Sequence, residues 1–181
     1  MAGKAAEETG GKVATEEESA QIANCIPRLR RYARTLLAEG ALADDLVQDT
    51  LERALNRLHR FERGRDMRAW LFSVMHNLYI DQLRQPGLAA RSLDEADYEI
   101  PCAGVQEPLQ LRDLQTALCM LPVEQREVLL LVGVEEMNYG EVAATLAIPL
   151  GTVMSRLSRG RERLRWLMEG GRMTTSLKAV K

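Results

Sequence analysis

The stretch from Asn138 to Met168 most constrains the fold, because it contains two helical patterns on either side of a proline. Asn138 and Glu141, three residues apart, are typical of a helix N-cap and its reciprocal partner. Pro149 ends the first pattern and can begin a second helix, since the N–H group is not needed in the first turn. The stretch therefore predicts a helix-turn-helix. The apolar residues that its first helix would bury are Val142, Ala143 and Leu146.

The second helix of this unit has two chemically different faces on a period of 3.6 residues. One face is small and apolar, and consists of Val153, Leu157, Gly160 and Leu164. The opposite face is polar and basic, and consists of Thr152, Ser155, Arg156, Arg159 and Arg163. From residue 150 to the last residue the net charge is roughly +6. Hydroxyl groups followed by arginines suit the major groove of duplex DNA, whereas the alternative is a solvated face in a helical bundle.

Composition and charge support a helical, nucleic-acid-binding chain. The 181 residues suffice for one domain or two small ones, and 46% of them are hydrophobic but only 4% aromatic. Such a composition, rich in leucine, alanine and arginine, favours helices over sheets. The net charge of −2 is unevenly distributed, since residues 22–85 sum to +3, residues 86–109 to −4 and residues 110–181 to +2. Two positive segments could face nucleic acid while the whole chain stays nearly neutral.

The sequence contains little that could support catalysis, a metal or a cofactor. Cys25, Cys102 and Cys119 are far apart and lack the spacing of zinc ligands. His59 and His76 have no evident carboxylate partner, so we expect ordinary surface or boundary residues. No phosphate-binding loop or nucleophile elbow is present, and an enzyme is not expected. No apolar run is long enough for a signal peptide or a membrane span, which predicts a soluble, cytoplasmic protein.

Periodicity predicts an all-α fold, with two small helical domains joined by a flexible acidic linker and a helix-turn-helix in the C-terminal domain. The predicted organisation is a disordered tail (1–19), a first domain (20–85), the linker (86–108), a second domain (109–168) and a frayed tail (169–181). The predicted helices before the helix-turn-helix run from Ala20 to about Glu39, Leu42 to about His59, Met67 to Gln85, Leu109 to Met120 and Val123 to about Met137.

Two helices of the first domain carry candidate contact surfaces. The second would bury an arc of Val47, Leu51, Ala54, Leu55 and Leu58, which leaves Leu46 exposed among polar residues. The third leaves a narrow outward strip of Trp70, Ser73, Asn77, Asp81 and Arg84, beside a loop that contains Phe61. These side chains could stack on bases and hydrogen-bond to their edges. The alternative is that Trp70 is partly buried core and Asn77 is merely solvated.

Four motifs resemble the extracytoplasmic-function group of bacterial RNA polymerase sigma factors. They cover about residues 20–85 and 109–168, in the order that the family has. The motifs are D-D-L-V-Q-D-T at 44–50, R-A-W-L-F at 68–72, L-P-x-E-Q-R-E-V-L-L-L at 121–131 and Y-x-E-V-A…I-P-x-G-T-V-x-S-R-L-x-R-x-R-E-R-L-R at 139–165.

This resemblance implies a transcription initiation factor whose partners are core RNA polymerase, promoter DNA and an anti-sigma protein. The surface that docks on the core enzyme would consist of Asp45, Leu46, Gln48, Asp49 and Glu52. The minus-ten element would be read as single-stranded DNA by Phe61, Arg68, Trp70, Asn77 and Arg84. The minus-thirty-five element would be read as duplex by Thr152, Ser155, Arg156 and Arg159, with Arg161 and Arg163 on phosphates.

Three positions depart from the family's usual pattern. Ala147 stands where glycine is common in the turn, so the turn either avoids a left-handed conformation or carries about 1 kcal/mol of strain. Met154 replaces a frequent lysine and thereby removes a phosphate contact. Gly140 replaces a residue that favours helix. These differences bear on how strongly the minus-thirty-five element is bound.

The two promoter elements lie about 25 base pairs apart, on the order of 85 Å. A linker of about 24 residues spans roughly 27 Å when relaxed and about 80 Å when extended. We therefore expect the two domains to lie close together in the isolated protein and to separate on a large scaffold. The linker acids Asp94, Glu95, Asp97 and Glu99 could additionally mimic RNA in the polymerase.

Two other functions fit parts of the sequence. A self-sufficient helix-turn-helix repressor or activator would form a stable homodimer and bind a palindromic site. A helical interaction protein without a role on DNA would tolerate replacement of Arg156 and Arg159. Co-purification with core polymerase separates both from a sigma factor.

Overall fold

A computed structural model describes residues 14–37, 39–84 and 109–169, with side chains from residue 113 onward in the last range. The described residues form seven α-helices and one short 3₁₀-helix, Leu58–Arg60, and include no strand. The predicted all-α class is thereby confirmed. The α-helices are α1 (Glu16–Leu36), α2 (Gly40–Asn56), α3 (Met67–Leu83), α4 (Leu109–Cys119), α5 (Val123–Gly133), α6 (Tyr139–Thr145) and α7 (Leu150–Met168).

Helix α1 begins earlier than its predicted start at Ala20, because a complete cap precedes it. The Thr15 hydroxyl accepts a hydrogen bond from the Glu18 N–H at 3.2 Å, and the Glu18 carboxylate accepts one from the Thr15 N–H at 2.9 Å. Three glutamates in the first turn also suit the positive end of the helix dipole. Pro27 lies inside this helix without ending it.

The buried face of α2 differs from the predicted arc. Ala43, Leu46, Val47, Thr50 and Ala54 are buried, and this face packs against α1 and α3. Leu46 is 0% exposed, so the prediction that it lies on the surface is wrong. Leu55, which was placed on the arc, is 51% exposed. The reason is that α2 packs against both α1 and α3, so its buried stripe includes positions 43 and 46.

The helix-turn-helix has the predicted local structure. Asn138 and Glu141 form the reciprocal cap of α6, and α7 begins directly after Pro149. Val142 and Leu146 are buried as predicted, and Ala143 is partly buried. Ala147 in the turn has a φ of 51°, which is the left-handed conformation. The turn therefore carries the strain that an alanine has there.

Helix α5 ends at Gly133, earlier than the predicted end near Met137. The chain then leaves the helix through a short loop in which Glu136 has a φ of 55°. The Met137 N–H donates to the Leu131 carbonyl at 3.0 Å and closes this loop. The loop places Glu135 at a contact between the two halves of the molecule.

Close packing supports α7 in the C-terminal half. Gly160 is buried against α5, where an added Cβ atom would lie 3.0 Å from Leu129 Cδ1 and 3.4 Å from Gln125 Cβ. A side chain at position 160 would therefore require either the Leu129 side chain to shift or α7 to move away from α5. Helix α7 also packs against α4 and α6.

The N-terminal helices α1–α3 and the C-terminal helices α4–α7 pack against each other. Contacts join α1 to α4 and α5, and α3 to α6. One apolar cluster extends from Leu29 and Phe72 in the first half to Leu131 and Val142 in the second. The expectation that the two domains lie close together in the isolated chain agrees with this packing.

Candidate nucleic-acid and polymerase interfaces

Helix α7 presents the residues predicted to read duplex DNA. Of the predicted apolar face, Val153, Leu157 and Gly160 are buried and Leu164 is half-buried. On the opposite side Thr152, Ser155, Arg156 and Arg163 are half-buried and Arg159 is exposed. The structure therefore brings these five residues to one surface.

Hydrogen bonds along α7 orient part of this surface. The Ser155 hydroxyl donates to the Thr152 carbonyl at 3.1 Å. Arg159 donates through Nε to the Ser155 carbonyl at 3.2 Å and through Nη2 to the Ser155 hydroxyl at 3.3 Å. The Arg159 guanidinium is thus held beside the helix that presents it, which lowers the conformational freedom that binding would remove.

Arg161 lies apart from the other residues assigned to duplex DNA. Together with Tyr139, Met154 and Arg165 it lines a surface groove of about 460 Å³ between α6 and the flank of α7. Met154 is 53% exposed there, so the residue that replaces the family's lysine faces solvent.

On α3, the predicted outward strip is partly buried. Phe61 is 8% exposed and packs against Trp70, with ring centroids 5.2 Å apart. Trp70 is half-buried, whereas Asn77 and Arg84 are exposed. The Asn77 side chain donates to the Ser73 carbonyl at 2.8 Å. Phe61 thus supports Trp70 from beneath and offers little surface of its own to a base.

Arg68 faces away from this strip, toward the C-terminal half of the molecule. Its guanidinium lies 3.1 Å from the Asp66 carboxylate, and Nη1 donates to the Glu135 carbonyl. Asp66 also caps α3, because its carboxylate accepts from the Arg68 N–H at 2.8 Å. The structure therefore does not group Arg68 with Trp70, Asn77 and Arg84.

The predicted polymerase-docking surface on α2 keeps four of its five residues. Asp45, Gln48, Asp49 and Glu52 are exposed. Leu46 is fully buried in the core of the N-terminal half, which removes it from any docking surface. The prediction for Leu46 is corrected for this physical reason.

A group of charged residues between the two halves was not predicted from the sequence. Glu135 is only 1% exposed, and its carboxylate lies 3.4 Å from Arg28 Nη1 and 2.9 Å from Arg31 Nη2. Arg28 and Arg31 belong to α1, whereas Glu135 belongs to the loop after α5. An ion pair with one buried partner therefore joins the halves at this point.

A second buried carboxylate, that of Glu127 on α5, also bridges the halves. Its Oε1 lies 2.7 Å from His76 Nδ1 and accepts from the Tyr32 hydroxyl at 3.4 Å. Burial, and then the neighbouring Glu127 charge, raise the pKa of Tyr32 well above its usual range, so this hydroxyl stays protonated and donates. The expectation that His76 has no carboxylate partner is wrong, because the partner comes from the other domain.

Arg126, next to Glu127, joins the same interface through backbone groups. It donates to the carbonyls of Thr35 and Leu36 at the end of α1, at 3.2 and 3.0 Å, and to the carbonyls of Cys119 and Leu121. The sequence contains a signal for this interface, because Arg126 and Glu127 directly precede the apolar run at 128–132. Charged residues next to a buried run usually have partners.

Within the described ranges, no group of His, Cys, Asp or Glu side chains could hold a metal ion. In the same ranges no helix has the length and apolar character needed to cross a membrane. Cys25 is buried, and burial is the main reason that the pKa of its thiol is raised, with the Asp66 charge adding to it. This thiol is therefore a core residue with little thiolate character.

Comparison with known families supports an assignment for each half. Residues 22–76 match the family model described as the Sigma2 domain of PhyR, and residues 111–164 match that of Sigma-70, region 4. The chain is also 35% identical over 152 residues to the ECF RNA polymerase sigma factor EcfG of Rhodopseudomonas palustris, across 81% of this chain and 82% of that relative. The chain belongs to the extracytoplasmic-function group of RNA polymerase sigma factors.

Other members of the group show the same relationship. This sigma factor is 31% identical over 137 residues to SigW of Bacillus subtilis, which covers 68% of this chain and 73% of SigW. Among solved structures, it resembles the sigma factor RpoE of Bartonella quintana in complex with the anti-sigma factor NepR, at 33% identity and a TM-score of 0.75, over 87% of this chain and 100% of that one. CnrH in complex with the cytosolic domain of CnrY is similar at 28% identity and a TM-score of 0.64, over 87% and 92%.

As a member of this group, the protein is a transcription factor rather than a catalytic enzyme. It supports promoter-specific initiation by RNA polymerase.

Proposed function

We propose that this sigma factor binds core RNA polymerase, reads the minus-thirty-five element as duplex and the minus-ten element as single-stranded DNA, and thereby promotes DNA opening. The single observation that carries the proposal is that residues 22–76 match the Sigma2 domain of PhyR and residues 111–164 match Sigma-70, region 4, in one chain. Because bacterial transcription takes place in the cytoplasm, the protein would act there.

The geometry of α7 supports the duplex-reading role. Its apolar side packs on the other C-terminal helices, so Thr152, Ser155 and Arg159 remain available to a major groove. Arginine can bind the O6 and N7 acceptors of guanine in a bidentate manner, and hydroxyl groups can contact several bases. Arg156 would enter the groove with them, and Arg163 and Arg161 would contact phosphates.

Three features of α3 support capture of an unpaired base. Trp70 packs against Phe61 and offers its remaining surface, Asn77 is exposed two turns farther along, and Arg84 directly follows the last residue of the helix. Opening a base pair costs a few kcal/mol, which stacking and hydrogen bonding of the captured base would offset. No nucleotide hydrolysis is then needed for opening.

We further propose that core polymerase docks on the acidic side of α2, through Asp45, Gln48, Asp49 and Glu52. A docked chain that contacts both promoter elements must have its two halves separated, because the elements are on the order of 85 Å apart.

The four linker acids proposed as an RNA mimic, Asp94, Glu95, Asp97 and Glu99, lie outside the described residues. Their role remains a proposal, tested by neutralising them and measuring early RNA release.

An anti-sigma protein is a further proposed partner. The relatives RpoE and CnrH form complexes with NepR and with the cytosolic domain of CnrY, respectively. An inhibitor of this kind would compete with core polymerase for the chain. Co-expression with a candidate inhibitor should therefore reduce the amount of core enzyme that co-purifies.

The test of the proposed function uses the full chain and purified bacterial core polymerase. We expect the chain to co-purify with the core enzyme and to start transcription at specific sites in a reconstituted assay on genomic fragments. The chain alone should bind promoter duplex weakly. A stable homodimer that binds a palindromic site without polymerase would contradict the proposal and favour a self-sufficient regulator.

A further inference from the structure

We infer that Arg28, Arg31 and Arg68 form a binding site for a DNA phosphate, which Glu135 occupies while the two halves of the chain are packed together. The inference rests on the proposed function, since it extends the DNA-contacting surface of the N-terminal domain. It adds Arg28 and Arg31, which have no assigned role, and it explains why Arg68 faces away from Trp70.

The three arginines come from two helices and converge on one residue. Arg28 and Arg31 are one turn apart on α1, and each donates to a different oxygen of the Glu135 carboxylate, at 3.4 and 2.9 Å. Arg68, in the first turn of α3, donates to the carbonyl oxygen of the same residue. Glu135 therefore fills the centre of a guanidinium cluster that belongs entirely to the other domain.

The chemistry of this contact matches that of a phosphodiester. A carboxylate presents two oxygens that share one negative charge, and a phosphodiester likewise presents two non-bridging oxygens that share one charge. Arginine favours both groups, because its planar fork donates parallel hydrogen bonds to paired oxygens. A phosphate could thus replace the Glu135 carboxylate with the same donors.

The arginines and Glu135 differ in burial. The side chains of Arg28 and Arg31 remain 47% and 57% exposed in the packed form, whereas that of Glu135 is only 1% exposed. The arginines therefore already face solvent on their outer side. When the C-terminal half moves away, the loop that carries Glu135 moves with it. Arg28 and Arg31 then lose the Glu135 carboxylate as an ion-pair partner.

The position of the cluster fits DNA beside the minus-ten element. Arg68 stands two residues before Trp70, on the opposite side of the first turn of α3. A flexible single strand that leaves the Trp70 surface could pass around the start of α3 and reach the cluster. Competition between Glu135 and DNA would then keep the isolated chain from binding single strands tightly.

The first experiment measures binding of the full chain to a fluorescein-labelled, mixed-sequence, 20-nucleotide single-stranded DNA by fluorescence anisotropy. Glu135→Gln keeps the size of the side chain but removes the competing charge. Apparent affinity falls with the fraction of molecules in which a site is accessible, so we expect this variant to bind about tenfold more tightly than wild type. An unchanged affinity would count against the inference.

Matched variants on α1 separate a specific site from general attraction. Arg28→Gln/Arg31→Gln in the Glu135→Gln background should abolish the gain and lower the salt slope by about 0.7 for each lost phosphate contact. Arg30→Gln/Arg34→Gln in the same background removes the same charge from the same helix, where these residues pair with Asp44. The control should keep most of the gain. Equal losses in both pairs would show nonspecific attraction and overturn the inference.

A second experiment keeps the test decisive if Glu135→Gln does not fold, as judged by circular dichroism. Arg28→Gln/Arg31→Gln is then assembled with core polymerase, whose affinity is measured in the same titration, and the rate of promoter opening is followed. We expect core binding as in wild type and opening several-fold slower. Opening at the wild-type rate would overturn the inference. If the wild-type chain itself starts no transcription with core polymerase, the proposed function fails instead, and this result is distinguishable.

Discussion

The two surfaces proposed to contact DNA are built in different ways. The surface of α7 lies on a helix whose other side is packed, and its Arg159 is oriented by Ser155 on the same helix. In the N-terminal half, Arg68 instead hydrogen-bonds to the loop that carries Glu135, which belongs to the other domain. The α7 surface is therefore already formed while the halves are packed together, whereas Arg68 of the N-terminal surface is hydrogen-bonded to the other half.

Under the proposed function, this difference would let the chain keep a preformed DNA-contacting surface on α7 and still require polymerase. The contacts that join the halves include buried carboxylates, Glu127 and Glu135, each with partners from the N-terminal half. When the halves separate, water solvates these carboxylates and their partners. The free-energy cost of leaving a buried charge without a partner is therefore avoided. Polar contacts of this kind can be released more readily than a purely apolar interface.

The largest effect should follow from Trp70→Ala, which removes the proposed base-stacking surface of the N-terminal half. Loss of one stacked base costs about 1–3 kcal/mol, or roughly a 5- to 150-fold loss in promoter opening. Polymerase binding should change little, because Trp70 is on α3 and the proposed docking residues are on α2. Permanganate reactivity of unpaired thymines in the reconstituted complex measures opening.

The control for Trp70→Ala is Trp166→Ala, which removes the other tryptophan, exposed near the end of α7. This variant should open promoters nearly as wild type does. Equal loss of opening and of polymerase binding in Trp70→Ala would contradict the assignment of Trp70 to the single-stranded element.

Arg159→Ala tests whether the surface of α7 reads bases in duplex DNA. Removing an arginine that reads a base should cost about 1–3 kcal/mol of duplex binding and relax specificity at one position. Arg165→Ala removes the same charge from the groove flank of the same helix and should reduce binding only modestly, without a change in specificity. Binding of the holoenzyme to promoter variants measures both. If the two variants behaved alike, α7 would attract DNA by charge alone.

Gly160→Val tests whether α7 depends on its close approach to α5. A side chain at this position meets Leu129, and we expect a loss of about 1–3 kcal/mol in the free energy of unfolding. Gly151→Val is the matched control on the same helix, because an added Cβ atom there meets nothing within 4 Å. Thermal unfolding of both variants provides the measurement, and equal melting temperatures would show that the approach is not constrained.

The smallest effect should come from Ala147→Gly in the turn of the helix-turn-helix. Glycine adopts the left-handed conformation without strain but loses more entropy on folding, which leaves a net stabilisation of about 0.5 kcal/mol. Ala144→Gly, within α6, should instead destabilise by about 0.5–1 kcal/mol. Chemical denaturation distinguishes the two signs. Destabilisation by both variants would show that the turn at Ala147 carries no strain.

Local features of the fold could be predicted from the sequence. The Asn138–Glu141 cap, the start of a helix after Pro149 and the buried stripe of α7 depend on neighbouring residues, and each was predicted correctly. The predicted start of α1 is too late. Thr15 is followed by three consecutive glutamates, and this charged segment has no apolar period that would indicate a helix.

Features that depend on packing between distant segments could not be predicted. The exposure of Leu46 and Leu55 was reversed, because periodicity gives the width of an apolar stripe but not its rotation toward two neighbours. The partners of His76 and Arg28 come from α5 and the loop after it, more than 50 residues away. Such contacts require the arrangement of the two halves, which no local pattern contains.

The distance between the two halves in solution most directly tests whether core polymerase separates them. Dyes are attached to cysteines introduced at the exposed positions Gln21 on α1 and Ser158 on α7, in a chain whose native cysteines are replaced, and Förster transfer is recorded with and without core polymerase. We predict high transfer in the isolated chain and a large decrease when core polymerase binds. Transfer that stays high in a transcriptionally active holoenzyme would contradict the account.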